Sequence, residues 1–265
     1  MSGSPAAPVV VEPVNAQAPA LTGPVMMNQD WRDLTMVHWA VPPQRVRRLM
    51  PPGVRPDTFE GSTYVGLVPF RMVDAGLARG PGVPWAGTFL ETNVRLYSVD
   101  DTGRRGIVFL SLDTDRALVV AGARAGFGLP YRWARMRHRV RRDGDGEAHS
   151  YDARLRPPWP AARSHVEVRA GGPRERTALD DFLSARWGLH VRWWGRTLYV
   201  PNAHGPWPLR EAELLDLDDG SRGSVGLLGS VGLGELAGRA PDHVAFSDGV
   251  HTEFGYPTDA RRPRP

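Results

Sequence analysis

Between Trp133 and Arg142 the chain alternates with a period of two: Arg135, Arg137, Arg139 and Arg141 fall on one side, Met136, His138 and Val140 on the other. Successive side chains of a strand project to opposite faces, so this spacing describes a half-covered β-strand rather than a helix. The loop "RRDGDGEA" then leads into a second strand, "HSYDARLR" (149–156), which makes the pair a hairpin. The same reading predicts strands over 33–41, 61–73, 89–98 and 104–113, two strand arms around Gly195 within 189–203, and a further strand over 207–217. The turn "DDTG" joins 89–98 to 104–113 as another antiparallel hairpin. Helices are fewer. One starts at a proline in "PPQRVRRLMPPG", one runs over 114–128 from a Thr cap to a glycine stop, and one is capped by Thr177 in "TALDDFLSARW" (177–187). Strands outnumbering helices, mostly as hairpins, predict an α+β fold built on a large antiparallel sheet or open barrel.

A chain of 265 residues with 41% hydrophobic content has enough apolar material for its own core. It contains no cysteine, which removes disulfides, thiolate nucleophiles and cysteine-ligated metals. It contains no lysine either, so its 33 basic residues are all arginine and no lysine nucleophile exists. No apolar run approaches the ~20 residues that cross a bilayer. The N-terminal "MSGSPAAPVVVEPVNAQAPALTGP" lacks the basic start of a secretory signal, so a cytoplasmic protein is expected. Residues 1–24 read as a disordered lead-in, 25–258 as one domain and 259–265 as a flexible basic tail. Nothing divides the core in two.

Several chemistries are disfavoured by spacing. The glycine cluster "GSVGLLGSVGLGEL" (223–236) lacks the Gly-Lys-Ser/Thr of a phosphate loop and reads as a flexible loop with a short strand. The arginines at 135–141 sit beside Asp143, Asp145 and Glu147, a mixture of signs that argues against a nucleic-acid groove. Eight histidines occur without a metal-ligand spacing, so no metal and no cofactor is expected. His204, in "NAHGPWP", stands where a strand meets a turn and is a candidate site residue, with a backbone-bonded turn histidine as the alternative.

The stretch "FLETNVRLYS" (89–98) places Glu91, Asn93, Arg95 and Tyr97 on one face and Thr92, Val94 and Leu96 on the other. A polar strand face is ordinarily wet. Glu and Asn are poor strand formers, however, and the next strand ends in Asp113, which brings more hydrogen-bonding groups to the same sheet. From the residues alone, solvated face and pocket wall both stand.

The blocks "VHWAVPPQRVRRLMPPGVRPDTFEGSTYVGLVPFRM", "FLETNVRLY", "IVFLSLD", "GFGLPYRWARM" and "FSDGVHTEF" resemble the YqjF-like domain-of-unknown-function family, over residues 30–256. That family is grouped with acetoacetate decarboxylase, which implies a curved, barrel-like sheet around a small-molecule cavity with a few external helices. The decarboxylase uses a lysine of lowered pKa to form an imine. The comparable segment here, "ARAGFGLPYRWAR" (123–135), offers Tyr131 and Arg132 instead, and a guanidinium is no nucleophile. The resemblance therefore implies the cavity without the imine. In such a cavity Arg95 would clamp a carboxylate, Glu91 would act as acid or base, and Asn93 and Tyr97 would orient a carbonyl or hydroxyl, with Asp113, Tyr131 and His204 as further ligand contacts. The function expected is binding of a small oxo or carboxylic acid, with lyase-like turnover or with sensing alone. Binding of nucleic acid through Arg135–Arg141 is the remaining alternative.

Overall fold

In a computed structural model that describes residues 9–144, 146–220 and 222–260, the strands join into one sheet that closes on itself twice. Strand β1 (Val25–Val41) pairs antiparallel with β3 (Thr63–Leu77) on one edge and with β12 (His243–Gly255) on the other. β3 continues to β4 (Phe89–Asp100), and β4 to β5 (Arg105–Thr114). At the β4–β5 turn the Asp100 carboxylate accepts from the N–H groups of Thr102 and Arg104, and Gly103 takes φ +88°, which a residue without Cβ adopts freely.

From β5 the sheet branches. On one side Ile107 meets Leu189 of β9 (Gly188–Trp193) in a parallel contact, β9 forms a hairpin with β10 (Arg196–His204), and β10 returns to β12. This closes a first ring, β1–β3–β4–β5–β9–β10–β12. On the other side β5 runs parallel to the start of β6 (Tyr131–Asp143), followed by β7 (Gly146–Leu155), β8 (Arg163–Pro173) and β11 (Leu209–Asp218), which returns to β12. The second ring shares β12, β1, β3, β4 and β5 with the first. Short strands β2 (Val54–Pro56) and β13 (Thr258–Asp259) add to β4 and β10.

The second ring is packed solid. Trp39, Leu67, Val94, Leu96, Val168 and Phe246 fill it, each at most 1% exposed. Into this core the glycine cluster sends a helical turn, α4 (Leu227–Ser230), whose Leu227 and Leu228 are fully buried and whose N–H groups donate to the Asp219 carboxylate. Residues 223–236 are thus a hydrophobic plug, not a loop with a short strand: four leucines spaced among the glycines outweigh the glycines' conformational cost.

α1 (Pro43–Val46) begins on a proline. α2 (Ala117–Phe127) ends at Gly128 in the left-handed conformation. It starts at Ala117 rather than at the expected Thr cap: Thr114 is the last residue of β5, and its hydroxyl accepts from the Arg116 N–H (3.4 Å), ahead of the helix. α3 (Ala178–Ser184) has a reciprocal capping box between Thr177 and Asp180. Four strands escaped the sequence reading: the short β2 and β13, and the long β8 and β12. β12 contains Asp248-Gly249, a turn signal, yet Gly249 (φ +123°) is there because a Cβ would stand 1.8 Å from the Trp31 carbonyl oxygen of the paired β1.

Residues 9–24 form no helix or strand, but Glu12 N–H donates to Gly103 O (2.9 Å) and Trp187 Nε1 to Asn15 O (2.9 Å). Residues 1–8 of the expected lead-in and 261–265 of the expected tail lie outside the described residues, as does Asp145. No helix among the described residues is long and apolar enough to cross a membrane.

Candidate active site in the first ring

The first ring is hollow. It encloses a cavity of about 300 Å³, at the lower end of the range for small-molecule sites. The wall is mostly apolar, with Trp31, Phe70, Phe89, Phe109, Leu189 and Phe254 prominent, and α2 contributes Val119 and Ala123. Into this apolar space β4 projects Glu91, Asn93 and Arg95, which are 2%, 1% and 6% exposed. Both faces of β4 are covered, since Val94 and Leu96 point into the core of the second ring.

The three polar residues form a hydrogen-bonded row. Arg95 Nε donates to Asn93 Oδ1 (2.8 Å), and Asn93 Nδ2 donates to Glu91 Oε1 (3.3 Å). Tyr131, the first residue of β6, donates its hydroxyl to Glu91 Oε2 (2.7 Å). Burial pushes the Glu91 carboxyl up to about 7, against the opposing pull of Tyr131, Asn93 and Arg95. Arg95 makes no ion pair among the described residues and lies 5.6 Å from the centre of the Phe109 ring. A buried guanidinium outside ion-pair distance of a carboxylate is costly, and here the nearby Glu91 offsets part of that cost.

Below Arg95 a buried relay leads away from the cavity. Tyr97 lies 2.7 Å from His38 Nε2, His38 Nδ1 lies 3.3 Å from His243 Nδ1, and His243 Nε2 lies 2.8 Å from Asp180 Oδ1. Burial, with His243 and Arg95 nearby, lowers the His38 pKa well below its ordinary value. Burial acts against ionisation of Asp180, but hydrogen bonds from His243, Thr177 and Arg174 outweigh it and hold the carboxyl low. Arg186 stacks over the Tyr97 ring at 4.9 Å. None of His38, His243, Asp180 or Arg186 was a sequence candidate, since they come from three segments far apart in the chain and only the fold assembles them.

Of the sequence candidates, Glu91, Asn93, Arg95 and Tyr131 meet in the cavity, and three do not line it. Tyr97 shares the face of Arg95 but is fully buried beneath it in the relay, with burial pushing its hydroxyl up to about 12. Asp113 faces the opposite side of the sheet. It is paired across β4 with Thr92, not Glu91, and binds Arg132 through both carboxylate oxygens (2.5 and 2.8 Å). His204 is the last residue of β10, packed among Trp31, Trp187 and Trp207, with Nδ1 2.6 Å from Gly205 O. It is the backbone-bonded histidine of the alternative reading. Arg135, Arg137, Arg139 and Arg141 lie exposed on the outer face of β6, where Arg139 and Arg141 reach Asp152 and Glu167. Among the described residues no group of three or more His, Asp or Glu is placed to hold a metal ion.

The doubly closed, mostly stranded sheet with few helices is the acetoacetate-decarboxylase-like fold, as solved structures show. An enduracididine biosynthesis enzyme, MppR, solved in complex with pyruvate, superposes with TM-score 0.61 at 15% identity, over 91% of this chain and 92% of that one. An acetoacetate decarboxylase-like enzyme from Sphingomonas wittichii gives 0.58 at 15% identity, over 88% and 92%. Acetoacetate decarboxylase from Legionella pneumophila gives 0.54 at 13% identity, over 91% and 92%. Within that fold the chain belongs to the DUF2071 family, described as "Uncharacterized conserved protein", which matches residues 28–251. A relative, "Uncharacterized protein YqjF" of Bacillus subtilis, is 33% identical over 190 residues, 71% of this chain and 76% of that protein.

Proposed function

We propose that the cavity binds a small oxo or carboxylic acid and that Glu91 moves a proton at the carbon beside its carbonyl. One observation carries this reading: a buried carboxyl poised near 7 stands in the same hydrogen-bonded row as a buried guanidinium with no anion of its own. A proton donor or acceptor works best when its pKa lies near the working pH, and Glu91 meets that condition at neutrality. Arg95 offers its terminal nitrogens to a carboxylate in the two-pronged geometry guanidinium favours. Asn93 sets the distance between the two, and Tyr131 orients the Glu91 carboxyl. With no lysine in the chain, the chemistry is acid–base, as in loss of carbon dioxide from an oxo acid followed by protonation at carbon. The pyruvate bound by MppR supports an oxo acid as the ligand class.

The test is a panel of α- and β-keto acids assayed for binding and turnover. Glu91→Gln is expected to retain binding and to lose turnover by about 10²–10⁴-fold, the usual contribution of a positioned proton-transfer group. Arg95→Ala is expected to lose binding. Folded variants that bind and process the panel as the parent does would sink the proposal. The lysine-free composition also favours a second reading, sensing without turnover. It predicts saturable thermal stabilisation by an acid that is recovered unchanged.

A further inference from the structure

The wall of the cavity facing β4 carries a second polar site. Around the first ring, β10 is separated from β4 by β5 and β9 in one direction and by β12, β1 and β3 in the other, so the two strands face each other across the space. Asn202 of β10 lines the cavity, is 6% exposed, and its Oδ1 has no hydrogen-bond partner among the described residues. Trp31 of β1 lines the same cavity, and its indole Nε1 is likewise buried and unpartnered. Gln29, 6% exposed, contributes a carboxamide from the next inward position of β1. In the cross-strand register Gln29 stands opposite Thr252, and Thr252 opposite His204. Met27, Phe254 and Asn202 form the neighbouring row on the same inward face. Thr252 Oγ1, fully buried between Gln29 and His204, is unpartnered among the described residues too.

Buried polar atoms are almost always hydrogen-bonded, because an unmade bond in an apolar surrounding costs the full desolvation of the group. A lone exception is unremarkable. A donor and an acceptor left open on β1 and β10, the two strands that flank β12 in one cavity wall, are a site for a group that can both accept and donate. The donor is held firmly, since the Trp31 ring stacks on Trp207 at 5.4 Å and touches Phe70 and Phe254 edgewise.

We infer that the natural ligand is bifunctional: an acid held by Arg95 at one end, carrying at its far end an uncharged hydroxyl or amide that accepts from Trp31 Nε1 and donates to Asn202 Oδ1. The inference rests on the proposed function for the acid end and adds the far end. Neither Trp31 nor Asn202 has a charged partner on that wall, so the distal group is neutral. The apolar residues between the poles fit a hydrocarbon spacer.

The experiment measures binding of unbranched α-keto acids of four to eight carbons, each with and without a terminal hydroxyl, by calorimetry to the full chain. At the chain length that spans the cavity, the ω-hydroxy acid is expected to bind about tenfold or more tighter than its plain counterpart. Asn202→Leu, which keeps the size and deletes the acceptor, is expected to close that gap while binding the plain acid as the parent does. Trp31→Phe keeps an aromatic ring against Trp207 while deleting the indole N–H with its five-membered ring, and gives the same readout if Asn202→Leu fails to fold. Equal binding of both acids by the parent at every length, or a gap that persists in a folded variant, would overturn the bifunctional ligand and leave the acid site standing. Binding of neither acid by the parent would remove both.

Discussion

At the scale of single residues, Glu91 and the buried histidines pull the stability of the protein in opposite directions with pH. Glu91 holds its proton to about 7 in the folded chain, against an ordinary value of 4.5. As pH falls from 7 towards 4.5 the folded state takes up this proton before the unfolded state does, so acidification stabilises the fold through Glu91, by about 3 kcal/mol in full. His204 works the other way. Burial lowers it to about 4 from 6.5, so the unfolded chain is protonated first and acidification destabilises the fold. His38 is lowered for the same reason and acts in the same sense. In the parent these effects partly cancel between pH 7 and pH 5. Glu91→Gln removes the offset, and its melting temperature is expected to fall more steeply than the parent's over that interval. The difference is about 2 kcal/mol, or roughly 4–8 °C. Parallel pH profiles for the two proteins would show that Glu91 is not a raised carboxyl.

At the scale of elements, the polar row on β4 is legible because a period of two survives any fold that keeps the strand: Glu91, Asn93 and Arg95 alternate with Thr92 and Val94 in sequence and in space alike. The placement of Asp113 is not legible, and the reason is a single residue. The β4–β5 turn sets Val99 opposite Arg105 and Arg95 opposite Phe109; an unbroken ladder would then put Glu91 opposite Asp113, on the cavity face. A bulge intervenes, with Arg95 opposite Phe109 but Val94 opposite Ser111, so Leu110 is the extra residue. One inserted residue reverses the faces of everything beyond it, and Leu112 enters the cavity while Asp113 turns to Arg132. Gly66 of β3 is another device that composition hides. It sits opposite both Arg95 and His38, and a Cβ there would lie 2.9 Å from Arg95 Cγ and from His38 Nε2. Gly66→Ala is expected to cost about 1–3 kcal/mol through overpacking and to weaken keto-acid binding, since Arg95 and His38 must move apart. A variant as stable as the parent in denaturant and unchanged in binding would show that Gly66 holds nothing in place.

At the scale of the whole molecule, two rings that share β12, β1, β3, β4 and β5 explain how an unpaired guanidinium and open hydrogen-bonding atoms persist around a hollow. The solid second ring and its α4 plug hold five of the seven strands of the first ring, so the cavity wall is fixed from its outer side by apolar packing that has no part in binding. The local pairs β4–β5, β6–β7 and β9–β10 are legible as hairpins. The closures are not, because they join β1 to β12 and β5 to β9, strands far apart in sequence, through contacts that no local pattern encodes. This architecture makes a definite claim about unfolding. Only β9 and β10 of the hollow ring lie outside the solid one, so loss of the cavity and loss of the solid core are expected in one transition. Far-UV circular dichroism reports the whole sheet. Tryptophan fluorescence reports all nine tryptophans, with Trp31 in the hollow ring and Trp39 in the solid core among them. The difference in emission between the parent and Trp31→Phe isolates the hollow ring, and its denaturant midpoint is expected to coincide with the circular dichroism midpoint. A cavity signal that disappears at lower denaturant than the sheet signal would mean that the rings unfold separately, and that the shared strands do not tie the site to the core.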